Sequence, residues 1–288
     1  MRLTGIFIGV FAAAAMLGAG TLEQRRAARM ECDKGNCRPY LENADAEIRR
    51  YALYRLTAEN PEKELDVLAR AMKDKEALVR YTAVLMLGRV SGKNPRIDAL
   101  LEAMANDESK EVRDMATQYS WPFKQKNIRL SEDPSWDYEV TTIKSIEIPQ
   151  DDWRILADER NRGHRLNYYM PKFDDSKWNK ITCGYWNQYG LDAYDGYAWY
   201  RIRFKMPPKM ECNSVEVRFM AVDESAWVWL NGKYLGEHDL GEEGYNKQFS
   251  LDCRKEIAFG KENILVVRVL DREQGGGIWK PIFIDILK

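Results

Sequence analysis

The chain has 288 residues, with 44 Lys and Arg set against 45 Asp and Glu, for a net charge of −1. That length holds one large or two modest domains, each with room for a real core. The even balance leaves no broad basic field, so charge gives no ground for a nucleic-acid or anionic-membrane partner.

The chain opens with a pattern of an export signal. Arg2 supplies a positive start, Ile6 to Leu17 is an apolar, Ala-rich run, and Gly18-Ala19-Gly20 are small residues suited to cleavage before Thr21. The run is short for a membrane span, and charged Glu23, Arg25 and Arg26 follow it. A cleaved secretory signal over 1–20 is therefore expected, with no stable membrane insertion afterwards and a secreted or periplasmic location. Residues 21–43 are charged and read as an irregular leader.

A repeat follows. Asp45-Ala46-Glu47-Ile48-Arg49 is echoed by Glu76-Ala77-Leu78-Val79-Arg80 and by Lys110-Glu111-Val112-Arg113. Within each unit the apolar residues keep helical spacing: Ile48, Ala52, Leu56 with Leu65, Leu68, Met72, then Val79, Ala83, Leu87 with Ile97, Leu101, Met104. Asp45, Asp74 and Asp107 suit helix starts, and Asn60-Pro61 and Asn94-Pro95 mark turns into the next helix. Recurrence at this period is the sign of stacked helical pairs. Residues 44–123 resemble HEAT repeats, which implies a surface for another protein. Arg49, Arg80 and Arg113 could form a ladder for a ligand. The favoured reading is that each bonds an Asp or helix end in its own or the next repeat.

Residues 124–140 carry Lys, Ser, Asp and Pro without period and read as a linker. All nine Trp lie at or beyond Trp121, so the back of the chain has a different character. From 141 to 288 the periodicity is two. Thr142 to Ile148 alternates, as do Val215, Val217 and Phe219, then Ala226, Val228 and Leu230, then Leu265, Val267 and Val269. Asn231-Gly232 accepts positive φ at both central positions of a tight turn and predicts a hairpin. Trp227 and Trp229 share the face opposite Ala226 and Val228. They are either an aromatic platform or, as favoured, packed against another layer or the helical block.

Five steps in this half occur together in order: Phe173-Asp174-Asp175-Ser176-Lys177-Trp178, Trp186-Asn187-Gln188-Tyr189-Gly190, Gly196-Tyr197-Ala198-Trp199-Tyr200-Arg201, Asn231-Gly232-Lys233, and Gly276-Gly277-Ile278-Trp279-Lys280-Pro281. In that order they resemble the sugar-binding jelly-roll domain of family 2 glycoside hydrolases. The expected fold class is α+β multidomain: a HEAT-like α-α block, then an antiparallel β-sandwich of the galactose-binding jelly-roll type. In that family the catalytic carboxylates sit on a separate barrel, which this sequence lacks. The resemblance therefore implies a binding or supporting module and no hydrolysis by this chain.

The resemblance also places a sugar near two loops, Trp186 to Tyr197 and Asp271 to Trp279. Flat rings stack on the C–H face of a pyranose, while carboxylates and amides bond its hydroxyls. The candidate ligand-binding residues are thus Trp186, Tyr189, Tyr194, Asp195, Glu273, Gln274 and Trp279, beside a flexible Gly275-Gly276-Gly277 backbone. The acid pairs Asp174/Asp175, Asp223/Glu224 and Glu242/Glu243 read as turn or surface acids. Neighbours on a strand point to opposite faces and seldom converge on one bond. His164 and His238 lack a Ser or Cys motif, and no CxxC pair supports zinc, so neither a catalytic residue, a metal nor a cofactor is expected. For the cysteines two readings stand: bridges Cys32–Cys37 and Cys212–Cys253, or plain buried thiols. The expected function is carbohydrate binding without catalysis, and the alternative is a structural or protein-interaction module with no sugar site.

Overall fold

The computed structural model describes residues 20–123, 140–273 and 275–288. The signal segment, nearly all of the linker and the candidate residue Gln274 lie outside the described residues. The chain divides into two compact units, with the boundary between Trp121 and Pro122.

The first unit is helical. Its helices are α1 (Leu22–Asp33), α2 (Ala46–Thr57), α3 (Leu65–Ala71), α4 (Ala77–Gly88), α5 (Pro95–Met104) and α6 (Lys110–Tyr119). The segment expected as an irregular leader is largely helix α1. Thr21 and Gln24 form a reciprocal capping box at its start, which satisfies backbone donors that a helix start leaves orphaned. The helix shows almost no apolar periodicity, because only Ala28 and Cys32 are buried on it. Asn94 caps α5 through Arg96 N, and Asp45 caps α2 through Glu47 N and Ile48 N. Asp74 and Asp107 sit two residues before their caps, accepting from Glu76 N and Ser109 N. Leu53, Leu68, Ala83, Leu87, Ile97, Leu101, Val112 and Ala116 form the core of this unit.

The arginines form a structural ladder. Arg49 Nε and Nη2 each lie 2.8 Å from the Asp74 carboxylate, while Nη1 reaches the carbonyls of Asn43 and Ala44. Arg80 repeats this with Asp107 and the carbonyls of Asp74 and Lys75. Arg25 bonds Asp45 one step earlier. Arg113 keeps the two carbonyl bonds, to Asp107 and Glu108, but its buried Nε has no acceptor among the described residues.

The second unit is a sandwich. One sheet runs β1 (Thr142–Glu147), β12 (Ile282–Leu287), β6 (Ser214–Phe219), β9 (Phe249–Asp252). The other runs β3 (Asn179–Ile181), β2 (Trp153–Ala157), β5 (Gly196–Lys205), β10 (Glu262–Asp271), β7 (Ser225–Leu230), β8 (Lys233–Asp239). The paired strands of both sheets are antiparallel. A short third pair joins β4 (Gly184–Tyr185) to β11 (Gly277–Ile278). Val215, Val217 and Phe219 of one sheet meet Val228, Leu265 and Val267 of the other in a single core, as their alternation requires. Asn231 and Gly232 turn the β7–β8 hairpin with φ of 53° and 81°.

The outer face of the six-stranded sheet is also buried, because residues 158–178 fold across it. Trp199 Nε1 donates to Asp158, Tyr168 packs edge-on against Trp199, and Tyr169 stacks on Trp229 at 5.6 Å. Phe123 and Tyr234 close around Trp229, which is fully buried. The Arg268 guanidinium lies 4.4 Å from the Trp227 ring and 3.8 Å from that of Tyr197, and the two rings also pack on each other at 6.2 Å. Trp227 and Trp229 are therefore packing residues and no platform, and the layer over them is the second unit's own. The Phe173–Trp178 step is likewise structural: Asp175 pairs with Arg201 and Arg203, and Arg201 lies near the rings of Phe173 and Trp178. All five cysteines are free thiols; Cys37 Sγ donates to the carbonyl of Cys32 at 3.4 Å.

Candidate functional site

The two loops singled out by sequence meet at one end of the sandwich. Asp271, the last residue of β10, is paired with Gly196, the first residue of β5. Trp186 N then donates to Gly276 O, and β4 pairs with β11 through Gly277 opposite Tyr185. This pairing needs bare glycines. A Cβ on Gly276 would lie 2.2 Å from Trp186 Cζ2, and one on Gly277 would lie 2.4 Å from Gly184 O.

The candidate residues divide by depth. Trp186 is fully buried beneath Gly276, with its ring 5.9 Å from that of Tyr194, so it offers no face to a ligand. Tyr194 and Tyr189 are half-buried against the same core. Tyr194 donates to Tyr197 O at 2.8 Å, and the Tyr189 hydroxyl accepts from Thr182 N at 3.0 Å. Asp195 and Glu273 are exposed on the rim, and Glu273 N donates to Asp271 Oδ1. Trp279 is half-buried, and its ring is near-parallel to two exposed rings, Tyr185 at 5.8 Å and 11° and Tyr245 at 6.5 Å and 12°.

Sequence reasoning missed Tyr185 and Tyr245. Tyr185 ends β4 and Trp186 opens the 3-10 turn Trp186–Tyr189, and across that bend one ring is exposed and the other buried. Which of the two is exposed depends on the β4–β11 register, and a two-residue strand carries no periodicity to reveal it. Tyr245 arrives from a separate loop, after the 3-10 turn Gly241–Gly244. It is tied in by Trp279 Nε1 donating to its carbonyl at 2.9 Å and by Lys280 Nζ bonding Asn246. Lys280 Nζ also stands 4.5 Å from the centre of the Trp279 ring.

Below the rim lies a group of acids. Asp223 and Glu224, read from sequence as turn or surface acids, lie in the turn between β6 and β7 but are buried, as is Asp175 of the earlier pair; Asp271 is wholly inaccessible. The turn between β6 and β7 folds inward because Asp223 N donates to Gly277 O and Glu224 accepts from Arg272. Burial, then the nearby charges of Asp271 and Glu224, push the Asp223 carboxyl up to about 7. Burial chiefly, with Glu224 and Asp195 adding to it against the Glu273 N–H, pushes Asp271 up to about 6. Among the described residues no group of three or more His, Cys, Asp or Glu is arranged to hold a metal ion. No described helix is long and apolar enough to cross a membrane. In the helical unit, a separate cavity of about 240 Å³ opens beside Arg49 and Asp74, with exposed Arg70 and Lys73 among its lining.

Comparison with known proteins agrees with this architecture. Residues 38–119 match the family model of HEAT repeats, and residues 163–275 match that of the beta-galactosidase second all-beta domain. The second unit is thus a β domain related to those of family 2 glycoside hydrolases, preceded by HEAT repeats. A beta-glucuronidase of Formosa agariphila is 28% identical over 134 residues, covering 41% of this chain and 12% of the relative. A beta-galactosidase of Thermoanaerobacter pseudethanolicus is 26% identical over 157 residues, covering 47% and 20%. The match therefore spans only a small part of the length of either relative. Among solved structures, a glycosyl hydrolase family 2 member from Bacteroides cellulosilyticus aligns over 50% of this chain and 21% of its own, with 22% identity and a TM-score of 0.41. The Ruminococcus gnavus beta-glucuronidase aligns over 52% and 30%, with 14% identity and a TM-score of 0.44.

Proposed function

We propose that this chain is an exported, non-catalytic carbohydrate-binding protein that holds a saccharide at the loop edge of its second unit. The observation that carries this reading is Trp279, whose half-exposed indole stands on a rim formed by the convergence of two loops. A flat ring at a fixed position stacks on a pyranose C–H face, and the exposed carboxylates of Asp195 and Glu273, on the same two loops, would accept from hydroxyls. The kinship of the second unit with β domains of glycosidases gives the ligand class its support. The acids do not suit hydrolysis. A glycosidase sets two carboxyl groups on either side of the scissile bond, whereas Asp223, Glu224 and Asp271 are buried beneath the rim. The HEAT repeats serve as the surface for a protein partner.

A glycan array probed with the full chain tests the reading. Retention of a defined glycan by the parent, and its loss in Trp279→Ala with an unchanged melting temperature, is the expected result. Retention of nothing, or turnover of aryl glycosides that is lost in Asp271→Asn, would overturn it.

A further inference from the structure

We infer that Tyr185, Trp279 and Tyr245 form one continuous stacking track, and that its ligand is an extended chain of equatorially linked hexopyranoses rather than a single sugar. This rests on the saccharide reading of the rim given above. The three rings come from three separate stretches: β4, the residue after β11, and the loop after the Gly241–Gly244 turn. Nothing in the chain's local spacing would align them, yet their planes agree within 12° across centroid steps of 5.8 and 6.5 Å.

Ring packing for stability alone hides the rings. Here the outer two remain open, Tyr185 at 46% and Tyr245 at 54% exposure. Lys280 Nζ and the flanking rings cover part of Trp279, so the open ring surface lies on the outer two. The β4–β11 pairing sets Tyr185 beside Trp279, and the indole N–H holds the backbone of residue 245. Such preorganisation lowers the entropy lost on binding.

A single pyranose covers about one ring face, so a row of three is longer than a monosaccharide can use. Chains with equatorial linkages present alternating flat C–H faces and can lie along such a row. A protein partner fits less well, because hot spots at protein interfaces sit in desolvated apolar patches. The stretches that lead into Tyr245 and Trp279 are instead charged, with Glu242, Glu243, Arg272 and Glu273 exposed.

The test is calorimetric titration of the full chain with cello-, manno- and chito-oligosaccharides from two to six units long. Affinity is expected to rise about tenfold or more with length in at least one series. Tyr185→Ala and Tyr245→Ala should each remove that rise while leaving disaccharide binding in place. Tyr185→Phe and Tyr245→Phe keep the ring and should bind as the parent does. Length-independent affinity would overturn the track and leave a single-sugar site standing. Equal losses in the Phe and Ala variants would overturn stacking as the cause. No binding of any series by a folded parent would overturn the track, while a glycan retained by the parent on the array would leave the saccharide reading standing.

Discussion

Arg201 Nε donates to Asp175 Oδ2 at 2.7 Å, and Arg203 Nη1 reaches the same oxygen at 2.9 Å. Arg201 is wholly buried, so this carboxylate is what makes its charge tolerable inside the domain. Asp175→Ala is expected to destabilise the second unit by about 3–5 kcal/mol, because it strands a buried guanidinium. Urea unfolding followed by Trp fluorescence measures it. A loss no larger than that of the exposed neighbour variant Asp174→Ala would refute the role given to this pair.

Gly276→Ala should disturb the rim from below. The new methyl would meet the Trp186 ring and, at 2.7 Å, the Asp271 Cβ. Overpacking of this kind costs about 1–3 kcal/mol. The expected readout is a lower melting temperature together with a changed Trp emission, and an unaltered melt would show that Trp186 is free to move aside.

In the helical unit the rungs should differ in worth. Arg80 and Asp107 are both nearly inaccessible, and their side chains bond through two nitrogens. Arg80→Ala is expected to cost about 3–5 kcal/mol, whereas Arg113→Ala, which loses only carbonyl bonds, should cost about 1–3 kcal/mol. Thermal melts of the two variants compare them directly, and equal losses would mean the carboxylates contribute little.

The raised carboxyls beneath the rim make stability depend on pH. Below about pH 4 Asp223 is protonated folded or unfolded. Between its ordinary value of 3.8 and about 7, the folded state keeps a proton that the unfolded state has released. Stability from this group therefore falls as pH rises across that window, with Asp271 acting alike up to about 6. His164, driven down to about 3 by burial and by Arg165 and Arg268, pulls the other way. The diagnostic quantity is thus the difference between parent and Asp223→Asn. The variant should gain relative to the parent from pH 5 to pH 8 in urea midpoint, and parallel profiles would count against the buried carboxyl.

Much of the fold was legible because burial is periodic. The alternation of Val215, Val217 and Phe219 and of Leu265, Val267 and Val269 places all six in the core. Asn231-Gly232 announced its turn through backbone preference alone. The arginine repeat was legible as structure because its partners, the Asp residues, recur with it. Helix α1 was missed because its helical signal is a capping box and not an apolar stripe. The sugar rim was half legible. Loop convergence follows from strand order, but the accessible rings depend on register at β4 and on a contact over 34 residues between Trp279 and Tyr245. Trp186 was the obvious ring by type, and it is inside. Its quieter neighbour, Tyr185, is the one that meets solvent.

The arginine ladder has a consequence for how the helical block comes apart. Each rung is shared: the cation belongs to one repeat and its carboxylate to the next, while the same guanidinium also ties the backbone before its own helix. Peeling one repeat away would break the ion pair that spans the two repeats and the packing around it in one step. Fraying from either end is thereby penalised at its first step, and the block should melt as a single body and not rung by rung.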